Sequence, residues 1–212
     1  MSFRTFYLRA GKYVRQHGLS SSLERVWRAV KNLVLYNRDL LFCRDLIRGE
    51  FGDLDMPENF RIERFEERSE ATRGLLKRLA EEYPEELLQE NFEERFEKGA
   101  WLWCLRHYTE YVGYVWTLKG KTLKPWYFPL MKHDVYLFDA LIFAQFRRRG
   151  LHSVLLNHVL RYYKSEGFDL AYLETREWNL AVVNLMSKHE FVRIGLAKRR
   201  LRRGKCKVKW WG

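Results

Sequence analysis

Val135-Tyr-Leu-Phe-Asp139-Ala-Leu-Ile142-Phe143-Ala-Gln-Phe146-Arg147-Arg148-Arg149-Gly150-Leu151-His152 is the stretch on which the reading of this chain turns. It reads as an apolar strand, an arginine–glycine turn and the start of a helix that continues to about Lys164. A second strand, Asp169 to Thr175, and a second helical segment, Asn179 to Phe191, follow. The first N–H groups of a helix have no partner inside it, and the helix dipole adds a partial positive charge at that end. Gly150 lets the backbone turn without a side chain in the way of an approaching anion. Strand, glycine turn and helix start together make a cradle suited to a phosphate or pyrophosphate. The plainer alternative is that Arg147, Arg148 and Arg149 form a solvated basic loop.

The spacing Arg147-x-x-Gly150-x-His152 resembles the acyl-CoA-binding signature of the GNAT superfamily of N-acetyltransferases, Gln/Arg-x-x-Gly-x-Gly/Ala. Asn179, Leu185, Lys188 and Phe191 fall in register on that family's second motif, Asn-x-x-Ala-x-x-Leu-Tyr-x-Lys-x-Gly-Phe. One helix and one strand separate the two, as the family requires. The resemblance covers about a third of the chain. It implies a mixed α/β fold with a centrally splayed sheet flanked by helices, here with an N-terminal helical extension. It also implies acetyl-CoA or another acyl-CoA as co-substrate, contacted by Ile142, Phe143, Arg147, Arg148, Arg149, Gly150, Leu151, His152 and Asn179, with no metal. The reaction implied is direct attack by an amine on the thioester, helped by positioning and by a place for the oxyanion.

Three departures from the pattern bear on the chemistry or the turn. His152 stands where Gly or Ala is preferred, close to the pyrophosphate. Glu190 stands where Gly is usual, and the effect expected is an altered turn. Met186 stands where many members carry a tyrosine acid, and methionine has no proton to give. A base must strip the incoming ammonium. Asp139, read as sharing a strand face with Leu137 and Leu141, and Glu174, near the end of the next strand, are the candidates. His107 and His133 come behind them, and His158 and His189 are read as structural. For each, an ordinary salt bridge or a satisfied polar residue is the competing account.

The chain has 212 residues, enough for one domain plus an extension. Its net charge of +12 calls for an anionic partner: a nucleotide-containing cofactor, an acidic carrier protein, a membrane surface or nucleic acid. Three scattered cysteines without metal spacing fit a reducing cytoplasm. No run of about 18 apolar residues is present, so no membrane-crossing helix is expected, and the N-terminus does not read as a secretory signal.

Residues 1–50 are read as a basic amphipathic helical extension and residues 51–212 as the acyltransferase domain. The stripes Phe3 to Val14 and Leu23 to Val34 suit packing on the sheet or on a second copy of the chain in a homodimer. The alternative is peripheral contact with an anionic membrane, at the inner surface of the cell. Leu40 to Ile47 is a candidate strand. Phe60 to Glu66 alternates as a strand should, and two acid-rich helices follow, capped at Ser69 and separated at Pro84. On the second of them, Glu90, Glu93, Glu94 and Glu97 read either as a solvated face or as bait for an amine. Trp101 to His107 and Tyr111 to Leu118 form an antiparallel pair, with Gly113 at a bulge or a close backbone approach. Lys119 to His133 is a long aromatic connector, and Val192 to Trp211 a basic hairpin that without a nucleic-acid motif reads as a protected sheet edge.

The sequence thus points to a cytoplasmic N-acyltransferase, with acetyl as the expected acyl group and a small-molecule amine of unknown identity as acceptor. Nucleic acid is not an expected partner. Two alternatives stay open. One is a catalytically silent module of the same fold that binds acyl-CoA or a partner. The other is a long-chain acyltransferase using acyl-CoA or acyl carrier protein.

Overall fold

The computed structural model describes residues 38–52, 56–122, 130–199 and 206–210. The two N-terminal helical stripes, the aromatic core of the long connector and the tip of the C-terminal hairpin lie outside them. The described elements run β1 Arg38–Asp45, β2 Phe60–Phe65, α1 Glu70–Ala80, α2 Glu85–Glu97, β3 Trp101–His107, β4 Glu110–Lys119, β5 Asp134–Ile142, α3 Leu151–Ser165, β6 Leu170–Arg176, α4 Leu180–Lys188, β7 Val192–Arg199 and β8 Cys206–Trp210. The strands form one sheet in the order β2-β3-β4-β5-β6-β1-β7-β8. Among the described strands only β5 and β6 run parallel. They are also the pair joined through a helix, α3, as a parallel connection requires.

Local chemistry accounts for the helices. Ser69 accepts from the Thr72 N–H while the Thr72 hydroxyl accepts from the Ser69 N–H, so α1 begins in a reciprocal capping box. Pro84 is the N-cap of α2. Helix α3 buries Leu151, Val154, Leu155, Val159, Leu160 and Tyr163, a stripe at helical spacing that faces the sheet. Its far end is pinned by the Tyr163 hydroxyl, 2.7 Å from Thr117 Oγ1, which also accepts from Trp103 Nε1 at 3.0 Å. Trp116 of β4 is fully buried and meets Phe92 and Phe96 of α2 edge-on at 5.0 and 4.9 Å between centroids. Each such pair adds about 0.5–1.5 kcal/mol to the burial itself and fixes α2 over β4.

Two features of the sheet differ from the sequence reading. The first is the boundary at residue 50. β1 lies inside the segment assigned to the extension, yet it pairs with β6 from Asp39↔Arg176 to Asp45↔Leu170 and with β7 on its other side. Leu40 and Phe42 are buried in the core. Residues 38–45 therefore belong to the sheet.

The second is a bulge. β4 and β5 stay in step through Trp116↔Phe138 and resume at Tyr114↔Leu141, so β5 carries one extra residue, at Asp139–Ala140. Asp139 takes up the slack in the left-handed region, at φ 46°. One added residue reverses the alternation, so Leu137 and Leu141 point to opposite faces and the face once assigned to Asp139 does not exist. Just past the bulge the strands crowd together. A Cβ on Gly113 would lie 2.5 Å from the Leu141 carbonyl oxygen, which explains the glycine.

Arg44 ties β1 to the far end of α4. Its side chain is 4% exposed. It donates to the carbonyls of His189 at 2.5 Å and Glu50 at 2.7 Å, and to Glu190 Oε2 at 2.9 Å. Burial works against the guanidinium charge, and Glu190 works in its favour. Glu190 itself sits at φ 54°, a conformation that costs a non-glycine residue about 1–2 kcal/mol. The expected outcome for Arg44→Met is a loss of about 2–4 kcal/mol in urea denaturation, because the buried His189 carbonyl and the half-buried Glu50 carbonyl lose their donor. Arg61→Gln breaks an exposed pair with Glu63 and is expected to cost under about 1 kcal/mol. Equal losses for the two would contradict this assignment.

Candidate active site

The ladder between β5 and β6 stops after four pairs, at Leu137↔Leu173. β5 continues to Ile142 along β4, and β6 continues to Arg176 along β1. A cleft of about 180 Å³ opens in the fork. Its walls include Phe138 and Asp139 of β5, Glu174 and Thr175 of β6, His152 of α3, and Asn179 and Met186 from α4 and its cap. The two base candidates, Asp139 and Glu174, therefore stand on opposite prongs of the same fork. His107 packs on Phe60 and His133 on Phe168, and neither lines the cleft.

The arginine–glycine turn lies at the mouth. Phe143 is buried and leads into a short 3-10 turn, Ala144–Phe146. Arg148 and Gly150 both take left-handed backbone, at φ 64° and 73°. Gly150 is the N-cap of α3, where no side chain caps the first N–H groups, and a Cβ placed there would have no atom within 4 Å. The turn is thus open to an anion, with the orphan donors of α3 behind it. The three arginines separate in role. Arg147 Nε donates to the Ile142 carbonyl at 2.9 Å, which fixes the end of β5. Arg149 lies over the Phe146 ring at 5.7 Å. All three residues are exposed.

Behind the turn, His152 faces the cleft as an uncharged imidazole. Burial, with a smaller push from His189, lowers its pKa to about 4. His189 is also brought to about 4, by burial first and then by Arg44 and Lys188, against Glu190.

A second cavity, about 250 Å³, lies on the other side of the bulge and shares Asp139 and Ala140 with the cleft. One face of α2 lines it with Leu88, Asn91, Phe92 and Arg95, spaced as one side of a helix. Arg95 Nη1 is 2.6 Å from Asp139 Oδ2, and the Tyr114 hydroxyl is 3.4 Å from Asp139 Oδ1. Burial, and next the Asp139 charge, push the Tyr114 pKa well above its ordinary value, so the phenol keeps its proton. The setting of Asp139 is a guanidinium and a phenol, not the apolar strand face inferred from sequence. Glu90, Glu93, Glu94 and Glu97 lie exposed on the rest of α2. Arg95 and Tyr114 were missed. The only signal for Arg95 was its place four and seven residues after Asn91 and Leu88, and nothing local marked Tyr114.

The sequence model of the Acetyltransferase (GNAT) family matches residues 61–191. The chain belongs to the GNAT acetyltransferase family. No protein of curated function matches it. Among solved structures it is similar to a tandem GNAT protein from the clavulanic acid biosynthesis pathway, at 12% identity and TM-score 0.55, over 78% of this chain and 55% of that one. It is similar as well to a functionally unknown conserved protein of Staphylococcus epidermidis, at 12% identity and TM-score 0.55, over 84% and 65%. A GCN5-related glucosamine N-acetyltransferase region of a fungal multi-domain β-N-acetylglucosaminidase matches at 14% identity and TM-score 0.57, over 82% and 22%. At these identities the likeness is one of fold. The chain spans roughly half to two-thirds of the first two proteins.

The GNAT frame gives the three departures a physical reading. Glu190, at the usual glycine, does more than alter a turn. It keeps the left-handed backbone that glycine adopts freely, and it supplies the carboxylate for Arg44, a residue that precedes the matched segment. Met186, at the usual tyrosine, is 2% exposed and forms part of the cleft wall. His152 replaces a small residue with an uncharged ring. Among the described residues no cluster of His, Cys, Asp and Glu is able to hold a metal, and no helix is long and apolar enough to cross a membrane.

Both histidines titrate below their ordinary value near 6.5. Between pH 6.5 and about 4 the unfolded chain takes up protons that the fold refuses. Their contribution to stability is therefore complete above pH 6.5 and is lost as pH falls toward 4. Melting temperature is expected to drop between pH 6.5 and 5, and His152→Gln to flatten part of that slope. A variant with the wild-type slope would count against a buried neutral His152.

Proposed function

We propose that this chain is an acyl-CoA-dependent N-acyltransferase, with acetyl-CoA as donor and a small amine as acceptor. The observation that carries this reading is the fork: two parallel strands that part after four pairs, with the open Gly150 turn at their mouth. The first N–H groups of α3, with Arg148 and Arg149, hold the diphosphate. Backbone of β5 and β6 beyond their last shared pair aligns the pantetheine arm and thioester. Acyl-CoA supplies the activated acyl group.

The acceptor enters through the second cavity, and its nitrogen reaches the junction at Asp139 and Ala140. Asp139 is the base, and Glu174 on the opposite prong orients the amine. As the C–N bond forms, the C–S bond breaks. Of the two protons that the ammonium gives up, one leaves through Asp139 to solvent and one ends on the departing sulfur. Met186 cannot deliver the latter; the Tyr114 phenol, hydrogen-bonded to Asp139, relays it, giving its own proton to the sulfur and taking the ammonium's second proton in return.

Calorimetric titration is expected to show acetyl-CoA binding that weakens about tenfold or more in Gly150→Val, where a branched side chain occupies the approach of the anion and left-handed backbone is disfavoured. Asp139→Asn keeps the shape and tolerates the left-handed backbone. It is expected to retain acetyl-CoA affinity and lose about a hundredfold in kcat. A silent module, the reading that Met186 favours, predicts tight acetyl-CoA binding with no transfer to any amine. Tighter binding of long-chain donors than of acetyl-CoA would replace the acetyl assignment.

A further inference from the structure

The second cavity does more than admit an amine. It holds a preformed pair of opposite charges. Arg95 is 15% exposed and Asp139 42% exposed at the side chain, and they meet at 2.6 Å across the floor. Arg95 is held there by Trp116 and Phe138, whose ring centroids lie 5.1 and 5.5 Å from the guanidinium carbon. Asp139 is held by the left-handed bulge and by Tyr114. Strained backbone maintained at a cavity junction is a mark of a working site.

A simple amine that docks on Asp139 competes with Arg95 for the carboxylate and leaves a largely buried guanidinium short of a partner. Such a loss is costly, because the unpaired charge stays where it is. A ligand that carries a carboxylate next to its ammonium replaces both halves of the pair at once. Its ammonium takes Asp139, at the junction with the cleft, and its carboxylate takes Arg95, deeper beside α2. Leu88, Phe92 and Tyr83 offer apolar surface for what remains of the molecule. We infer that the acceptor is a zwitterion of the amino-acid type, recognised by the opened Arg95–Asp139 pair, with Arg95 as the residue that sets specificity. The inference rests on the acyltransferase reading above and narrows its acceptor.

The test uses the full chain with acetyl-CoA and six probes: L-leucine, L-phenylalanine, their carboxamides, and the amines 3-methylbutylamine and 2-phenylethylamine. Thiol release is followed at one pH, and acetyl-CoA binding is measured separately by calorimetry. The free acids are expected to exceed the carboxamides and amines in kcat/KM by about tenfold or more. A carboxamide has the more acidic ammonium and so the more available free amine, so a preference for the acid reflects the site. Arg95→Met is expected to remove the preference through KM for the acids, with acetyl-CoA affinity unchanged, and Arg95→Lys to restore part of it. Equal or better turnover of the amides or amines by the wild type overturns the zwitterion while the acyltransferase reading stands. So does an Arg95→Met variant that loses the same factor on all of them. Acetyl-CoA binding with transfer to none of the six overturns the zwitterion and favours the silent module over the acyltransferase. Failure of the wild type to bind acetyl-CoA overturns the acyltransferase reading itself.

Discussion

The structure depends on two neighbouring parallel strands being kept apart. β5 and β6 pair as far as Leu137 and Leu173 and then part, although both strands run on. Two constraints on opposite sides part them. On one side, the extra residue at Asp139–Ala140 sets β5 out of step and bends it with β4. On the other, β1 pairs with β6 all the way to Arg176 and holds it outward. The fork is a product of pairings outside it.

The rest of the molecule places chemistry around that opening. The buried stripe of α3 fixes its N-terminus at the mouth, with the Thr117–Tyr163 hydrogen bond securing the other end. Trp116, wedged against Phe92 and Phe96, sets the rotation of α2, and with it the direction of Arg95. Arg44 fastens β1 to the chain just after α4, which carries Met186 into the cleft wall. Arg44 and Arg95 thus differ in use. Arg44 joins elements and meets two backbone carbonyls that cannot leave. Arg95 meets a side chain at a cavity, where a ligand is able to take its place.

Much of this was legible from short-range pattern. Hydrophobic period, the Ser69 cap and the break at Pro84 marked the described helices. Alternation marked β2, two apolar runs about a short turn marked β3 and β4, and a glycine with its arginines marked the turn before α3. The cleft brings together two motif positions, His152 and Asn179, and the two base candidates, Asp139 and Glu174. The face of Asp139 was misread because a bulge is a mismatch between two strands, and one strand's sequence carries no record of it. Arg95 and Tyr114 were missed for a similar reason: a basic residue in an acid-rich helix and a tyrosine in a strand look ordinary until the partner surface is known.

The order of residues by itself determined which described segments become helix or strand, where the arginine–glycine turn lies, and the family motifs around it. Those are local properties, set within a few residues by side-chain period, capping and glycine backbone freedom. Tertiary structure alone decided that β1 stands between β6 and β7, that β5 slips by one residue against β4, and that Arg95 closes on Asp139. Each of these joins groups far apart in the chain, and their meeting depends on how all the strands pair at once.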